Sequence, residues 1–258
     1  MAYTRVIYEK KDHVAHITFN RPDALNSYDT PMMLELVDVW KDFGEDRDMR
    51  VAIVTAKGRA FCAGRDLKEL KELDVVDKDI SDVAAYTPKK AGVFKPVICA
   101  VNGICAGGGL RFLLESDVPI CAEEAVFIDP HVSVGVPAER EMLGLSRRIG
   151  YYHALRMGLM GSYERIPARR ALELGIVTEV VPQEQLLPRA QELATTIGKN
   201  APLALQGAVE IMWRSQNLGL DDSVRVADQV LRWIYQTEDF HEGPRAFSEK
   251  RLPQWKGR

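Results

Sequence analysis

Three short apolar runs constrain this chain most. "VAIVT" (Val51 to Thr55), "KPVICAVNG" (Lys95 to Gly103) and "SDVPICAE" (Ser116 to Glu123) are each too short for a buried helix, and helix-like stretches separate them. Continuous apolar runs of this length suit strands covered on both faces, as in a parallel sheet flanked by helices. Their alternation with helical stretches predicts an α/β architecture. Upstream, "HVAHITF" alternates Ala15, Ile17 and Phe19 with Val14, His16 and Thr18, the pattern of a half-buried strand. "RPDALNSYDTP" reads as a loop, with Thr30 as the N-cap and Pro31 as the first residue of a helix running to about Phe43 and ended by Gly44. From about Asn200 the pattern turns wholly helical, and Val224, Ala227, Leu231 and Ile234 fall on one face. We therefore expect a core over residues 1–199 and a helical region over 200–258 whose apolar faces require a cover.

Composition excludes several classes of partner. The 258 residues are 46% apolar, enough for a substantial core, and the net charge of −3 carries no cationic excess to recruit nucleic acid or anionic lipid. No apolar run approaches the ~20 residues needed to span a bilayer. The N-terminal stretch "MAYTRVIYEKKDHV" places charges where a signal peptide would be apolar. Cys62, Cys99, Cys105 and Cys121 lack metal-pair or redox-pair spacing and read as buried, reduced thiols. These features predict a cytoplasmic protein with no nucleic-acid or membrane partner.

One stretch demands a specific explanation. "VNGICAGGGLRFLLESD" sets Gly107, Gly108 and Gly109 together at a helix start and follows them with Arg111. No Gly-Lys-Ser/Thr follows, so it is not a P-loop; the G-x-G-x-x-G spacing fails, and the chain has neither G-x-S-x-G nor H-E-x-x-H. Taken alone, the glycines indicate a tight turn and close packing of strand on helix. Taken with "NRPDALNS", "AFCAGRDLKEL", "SDVPICAEEAVF" and "EGPRAFSEKRLPQW", in that order along nearly the whole chain, the stretch resembles the enoyl-CoA hydratase/isomerase family, the crotonase superfamily.

The resemblance implies a crotonase-like core of repeated β-β-α units, a C-terminal helical trimerisation region, and trimers that pair as hexamers. It implies an acyl-CoA thioester as substrate, with coenzyme A present only as part of that substrate and no metal or redox cofactor. Matching residue by residue, the backbone N–H groups of Arg65 and Gly108 form the oxyanion hole for the thioester oxygen. Gly108 suits that role chemically, since a bare Cα lets an amide approach an oxygen and a helix start favours an anion. Such a donor lowers a barrier by roughly 3–4 kcal/mol. The matched CoA contacts are Ala24, Leu25, Asp66, Leu67 and Lys68, with Phe247 and Lys250 where the family brings a neighbouring subunit to the CoA. Lys68 reads equally as a solvated helix residue.

Departures from the family pattern matter as much. Hydratases of this family use two glutamates to hold water and move protons. The first position, three residues past the middle glycine, holds Arg111; the second, in the "Q-P-E" stretch, is matched by "DPH" and holds His131. A third position, eight residues further on, carries a proton-transfer aspartate in a dienoyl-CoA isomerase and a nucleophilic aspartate in a chlorobenzoyl-CoA dehalogenase; here it holds Glu139. Arg111, His131 and Glu139 are thus the candidate catalytic set, with Asp129 placed to orient the imidazole. The plainer readings are that Arg111 pairs with Glu139 or Glu141, that His131 is a packed loop histidine, and that "ERE" is solvated. Two functions follow. One is a crotonase-family enzyme performing isomerisation, atypical hydration or C–C hydrolysis; the other is a binding or scaffold protein that holds acyl-CoA without catalysis. A Glu139 carboxylate and a His131 nitrogen converging near Gly108 favour the enzyme, and a Glu139 in bulk solvent favours the binder.

Overall fold

The computed structural model describes residues 3–72 and 85–258. Ten strands build two sheets. The larger contains β1 (Val6–Lys11), β2 (Val14–Phe19), β3 (Val51–Ala56), β5 (Val97–Val101), β7 (Val118–Ala122) and β10 (Glu179–Val181), in the order β1-β2-β3-β5-β7-β10. The smaller contains β4 (Ala60–Cys62), β6 (Ile104–Ala106), β8 (Val126–Ile128) and β9 (Ile166–Pro167). The β1–β2 and β8–β9 pairs are antiparallel and the others parallel.

The three apolar runs become β3, β5 and β7. Each is followed at once by a three-residue strand that crosses to the smaller sheet, and then by a helix: α1 (Thr30–Glu45) precedes the series, and α2 (Leu67–Glu72), α3 (Gly109–Leu114) and α4 (Arg140–Ile149) end its units. This is the expected β-β-α repeat. Burial on both faces explains the runs. In β3, Ala52, Val54 and Ala56 join the main core between the sheets, while Val51 and Ile53 join a second cluster under α7 (Leu186–Ile197) with Leu186, Ala190 and Ala194. In β2, Ala15, Ile17 and Phe19 all enter the main core, as their alternation predicts. All four cysteines are buried free thiols, and burial pushes Cys62 and Cys121 up to about 12.

Local details correct two expectations. The cap of α1 is Asp29, whose carboxylate accepts from the Met32 N–H at 2.9 Å, while Thr30 and Pro31 lie inside the first turn. The helix also runs through Gly44 to Glu45. The remaining helices are α5 (Tyr151–Met160), α6 (Ala168–Leu174), α8 (Pro202–Ser215), α9 (Leu220–Ile234) and α10 (Glu238–Ser248), so the described chain beyond residue 200 is helical without strands. On α9 the buried residues are Val230 and Ile234, both packed on Gly207 of α8, with Ala227 and Leu231 half-buried and Val224 half exposed at the end of the same face.

Candidate active site

The glycine turn is built between β6 and α3, and its three glycines are required for different reasons. Gly107 adopts φ +50°, where a side chain is strained. A Cβ on Gly108 would fall on the phenol oxygen of Tyr28, and one on Gly109 on the carbonyl of Cys62. Gly108 is the N-cap of α3, and its own N–H has no partner among the described residues. Beside it lies the turn after β4: a Cβ on Gly64 would stand 3.2 Å from the Gly108 nitrogen. The two predicted donor residues, Arg65 and Gly108, are therefore brought to one place. The Arg65 side chain folds away, with Nη1 2.8 Å from Glu69 and its guanidinium over the Tyr28 ring, which leaves backbone at the cleft.

The first loop is stitched to this turn. Ala63 N–H donates to the Leu25 carbonyl (3.1 Å), Tyr28 N–H to the Gly64 carbonyl (2.9 Å), and Asp66 N–H to the Tyr28 carbonyl (3.0 Å). Buried Asn26 locks the loop, donating to the Lys57 and Ala60 carbonyls and accepting from Arg21 N–H. Arg21 in turn holds the Asp66 carboxylate at 3.0 Å; burial opposes ionisation there, but this contact keeps the carboxyl below its usual range. Thus Ala24, Leu25, Asp66, Leu67 and Lys68 form one rim, with Leu67 and Lys68 exposed. Phe247, 88% exposed, and Lys250 stand on the C-terminal helical region, and no hydrogen bond or ion pair among the described residues ties them to this rim. Residues 73–84 lie outside the described residues, and shortly after them Tyr86 enters the site beside Arg111.

Two polar pairs stand behind the glycines. In the first, Arg111 Nε donates to Glu141 Oε1 at 2.6 Å and Nη1 donates to the Tyr86 hydroxyl at 2.9 Å. The Glu141 side chain is 0% exposed, and its Oε2 has no hydrogen-bond partner. Burial disfavours the Arg111 cation, but Tyr86, Tyr28 and Glu141 outweigh it and hold its pKa above the ordinary guanidinium value. Tyr28 and Tyr86 pack with ring centroids 5.3 Å apart, and burial pushes both phenols up. In the second pair, Asp129 Oδ1 accepts from the His131 backbone N–H at 3.0 Å and lies 2.6 Å from Nδ1. Asp129 is fully buried. Its hydrogen bond raises the His131 pKa above the ordinary value, against the opposing effect of burial. A Cβ on Gly107 would stand 3.5 Å from His131 Cε1, so the imidazole lies against the glycine turn.

Glu139 is not part of this constellation. It caps α4, its side chain is 56% exposed, and its nearest ionic partner is Arg140 at 3.5 Å. The acid facing Arg111 is Glu141. Glu139 precedes the helix with an exposed side chain, whereas Glu141 lies in its first turn and is fully buried. Sequence reasoning named Glu141 only as a pairing partner; the periodicity of α4, with Met142, Leu145 and Ile149 buried, carries the signal that Glu141 shares their side.

Paired sheets of β-β-α units, with backbone amides converging on a glycine turn, define a protein of the crotonase type. The enoyl-CoA hydratase/isomerase family model matches residues 9–258, and the chain belongs to that family. Among its relatives are a carnitinyl-CoA dehydratase of Proteus mirabilis, 36% identical over 252 residues (95% of each chain), and a 2,3-dehydroadipyl-CoA hydratase of Escherichia coli, 33% identical over 257 residues (99% of this chain, 100% of the other). The crystal structure of an enoyl-CoA hydratase/isomerase from Mycobacterium paratuberculosis superposes with a TM-score of 0.93 at 40% identity, covering 100% of both chains.

Proposed function

We propose that the protein processes an acyl-CoA thioester by a reaction that needs one proton-transfer group. The Arg65 and Gly108 N–H groups hold the thioester oxygen and stabilise the enolate-like charge that develops on it. The rim of Ala24, Leu25 and Asp66 to Lys68 takes the CoA. His131 moves the proton. The observation that carries this reading is the 2.6 Å contact between a fully buried Asp129 and His131 Nδ1 beside the glycine turn. Such a carboxylate fixes the imidazole and leaves Nε2 for the substrate.

Arg111 is neutralised by Glu141 and cannot take protons, so the two-glutamate addition of water has no counterpart here. One base that removes a proton and returns it elsewhere suits isomerisation. The same base activating water suits atypical hydration or C–C hydrolysis. The exposure of Glu139 favours a second reading, an acyl-CoA binder without catalysis. Exposed Met212, Leu220 and Val224 on α8 and α9, and Phe247 on α10, support trimers or hexamers in which Phe247 and Lys250 meet a neighbour's CoA. No described helix is long and apolar enough to cross a membrane.

The test is a pH profile on a substrate found by screening acyl-CoA esters by mass spectrometry. As a base His131 must be neutral, so the rate falls as pH drops through its raised pKa. Asp129→Asn removes the cause of the rise. The acid limb then moves to lower pH, and the maximum falls by about 10²–10⁴-fold, the usual weight of an acid–base group. Glu139→Gln stays near the parent rate. If His131→Gln keeps the parent rate, the base is elsewhere. If no ester turns over while several bind, the binder reading stands.

A further inference from the structure

Arg111 and Tyr86 border a second space. They line a cavity of about 660 Å³ between α3, α4 and the C-terminal end of α8. Lys90, Arg111, Arg140, Arg147 and Arg148 line it, against a single lining carboxylate, Glu115. That carboxylate is already engaged, its Oε2 accepting from the Lys89 and Lys90 N–H groups at 2.9 and 3.1 Å. The nearby Asp117 is taken by Lys89 at 2.9 Å.

The two arginines in the last turn of α4 make no direct ion pair among the described residues, and Asp117 and Glu115 act on Arg148 only from a distance. Arg147 Nη1 donates to the Gln216 carbonyl at 2.8 Å. Arg148 donates through Nη1 to the Gly144 carbonyl at 3.2 Å and through Nη2 to the Leu114 carbonyl. A guanidinium has five N–H donors in a fork matched to a carboxylate, so both retain donors for an anion. Half-buried Arg148 is held there although burial works against its charge. Guanidinium groups that spend these hydrogen bonds on carbonyls leave this end of the cavity with donors suited to a carboxylate.

The position of the cavity names the anion. It runs along α3 from Arg111 to Leu114 and Glu115, whereas the oxyanion amide is Gly108 at the start of that helix. Six residues at 1.5 Å each put the cavity's far lining about 9 Å from that amide. A short acyl chain starting at the thioester carbon would end there. Resting on the thioester reading above, we propose that the cavity receives the distal carboxylate of a dicarboxylic acyl-CoA, so that the preferred substrates carry a negative charge at the end remote from the thioester.

The experiment compares chain-matched pairs, succinyl-CoA with butyryl-CoA and adipoyl-CoA with hexanoyl-CoA, by calorimetry. A charge-assisted bond contributes ~1.5–3 kcal/mol, so the carboxylate ester should bind roughly 10- to 100-fold tighter in at least one pair. The ratio should collapse toward one in Arg148→Met. Arg147→Met, at an exposed position that Arg148's packing does not share, should lower it too and guards against misfolding of the first variant. Equal affinities within both pairs overturn the proposal while leaving thioester binding intact. A ratio that survives both substitutions, or variants that weaken all four esters equally, also overturns it, the latter by assigning the cavity to CoA phosphates. Failure of every ester to bind sinks the thioester reading itself.

Discussion

Removing Arg111 should unmask a buried charge. The Glu141 side chain has no exposure, its Oε1 depends on Arg111 Nε at 2.6 Å, and its Oε2 is already without a partner. Arg111→Met keeps most of the side-chain volume but leaves that carboxylate alone. Breaking a buried pair from one side costs about 3–5 kcal/mol, and the 16% exposure left to Arg111 argues for the lower end. For a chain of 258 residues, ~3 kcal/mol lowers the melting temperature by about 6–12 °C. Arg111→Met/Glu141→Met removes both charges and should return to near the parent value, because a well-packed apolar pair replaces a buried ion pair at little cost. The assay is thermal and urea unfolding of parent, both single variants and the double variant at one protein concentration, since any association would otherwise shift the midpoint. A single Arg111→Met variant within ~0.5 kcal/mol of the parent would refute the reasoning, for it would mean that Glu141 meets water.

With Arg111 and His131 in place of the two hydratase glutamates, crotonyl-CoA hydration should be far slower than a typical turnover of about 10 s⁻¹; loss of enoyl absorbance at saturating substrate measures it, and a typical rate would contradict the single-base reading. The uncovered apolar residues of α8 to α10 should drive assembly, so light scattering at micromolar protein should return a trimeric or hexameric mass, and a monomeric mass would remove Phe247 and Lys250 from any shared site.

What could be read from the sequence follows from how each residue is buried. The first strands of the repeats, β3, β5 and β7, are covered on both faces and spell themselves out as apolar runs. Their companions β4, β6 and β8 have three residues each, too few for any period, and only the family resemblance predicted them. Asp29 and Thr30 both suit an N-cap, and the choice between them rests on a backbone geometry that residue type alone leaves open. The apolar face of α9 was legible, but that its Ile234 end packs on α8 together with Val230 depends on Gly207, which is remote in sequence. The glycine turn was legible because glycine is required there by crowding from Tyr28 and Cys62, a case in which the lack of a side chain is itself the signal.

The replacement of the glutamates reads differently once charge is counted. A cation on the first turn of α3 is tolerable inside the core only with an anion beside it, and Glu141 supplies one from α4. That pairing takes both groups out of proton transfer, because Arg111 stays protonated and Glu141 Oε1 is bound to it. On the proposed reading the second position supplies the proton transfer, and it holds an imidazole backed by a buried carboxylate two residues away. An ion pair at one position and an Asp–His pair at the other leave the site with one group able to cycle a proton near neutral pH. On that reading the site suits reactions in which the proton removed is the proton returned, and it lacks the second carboxylate that the two-glutamate addition of water across a double bond uses.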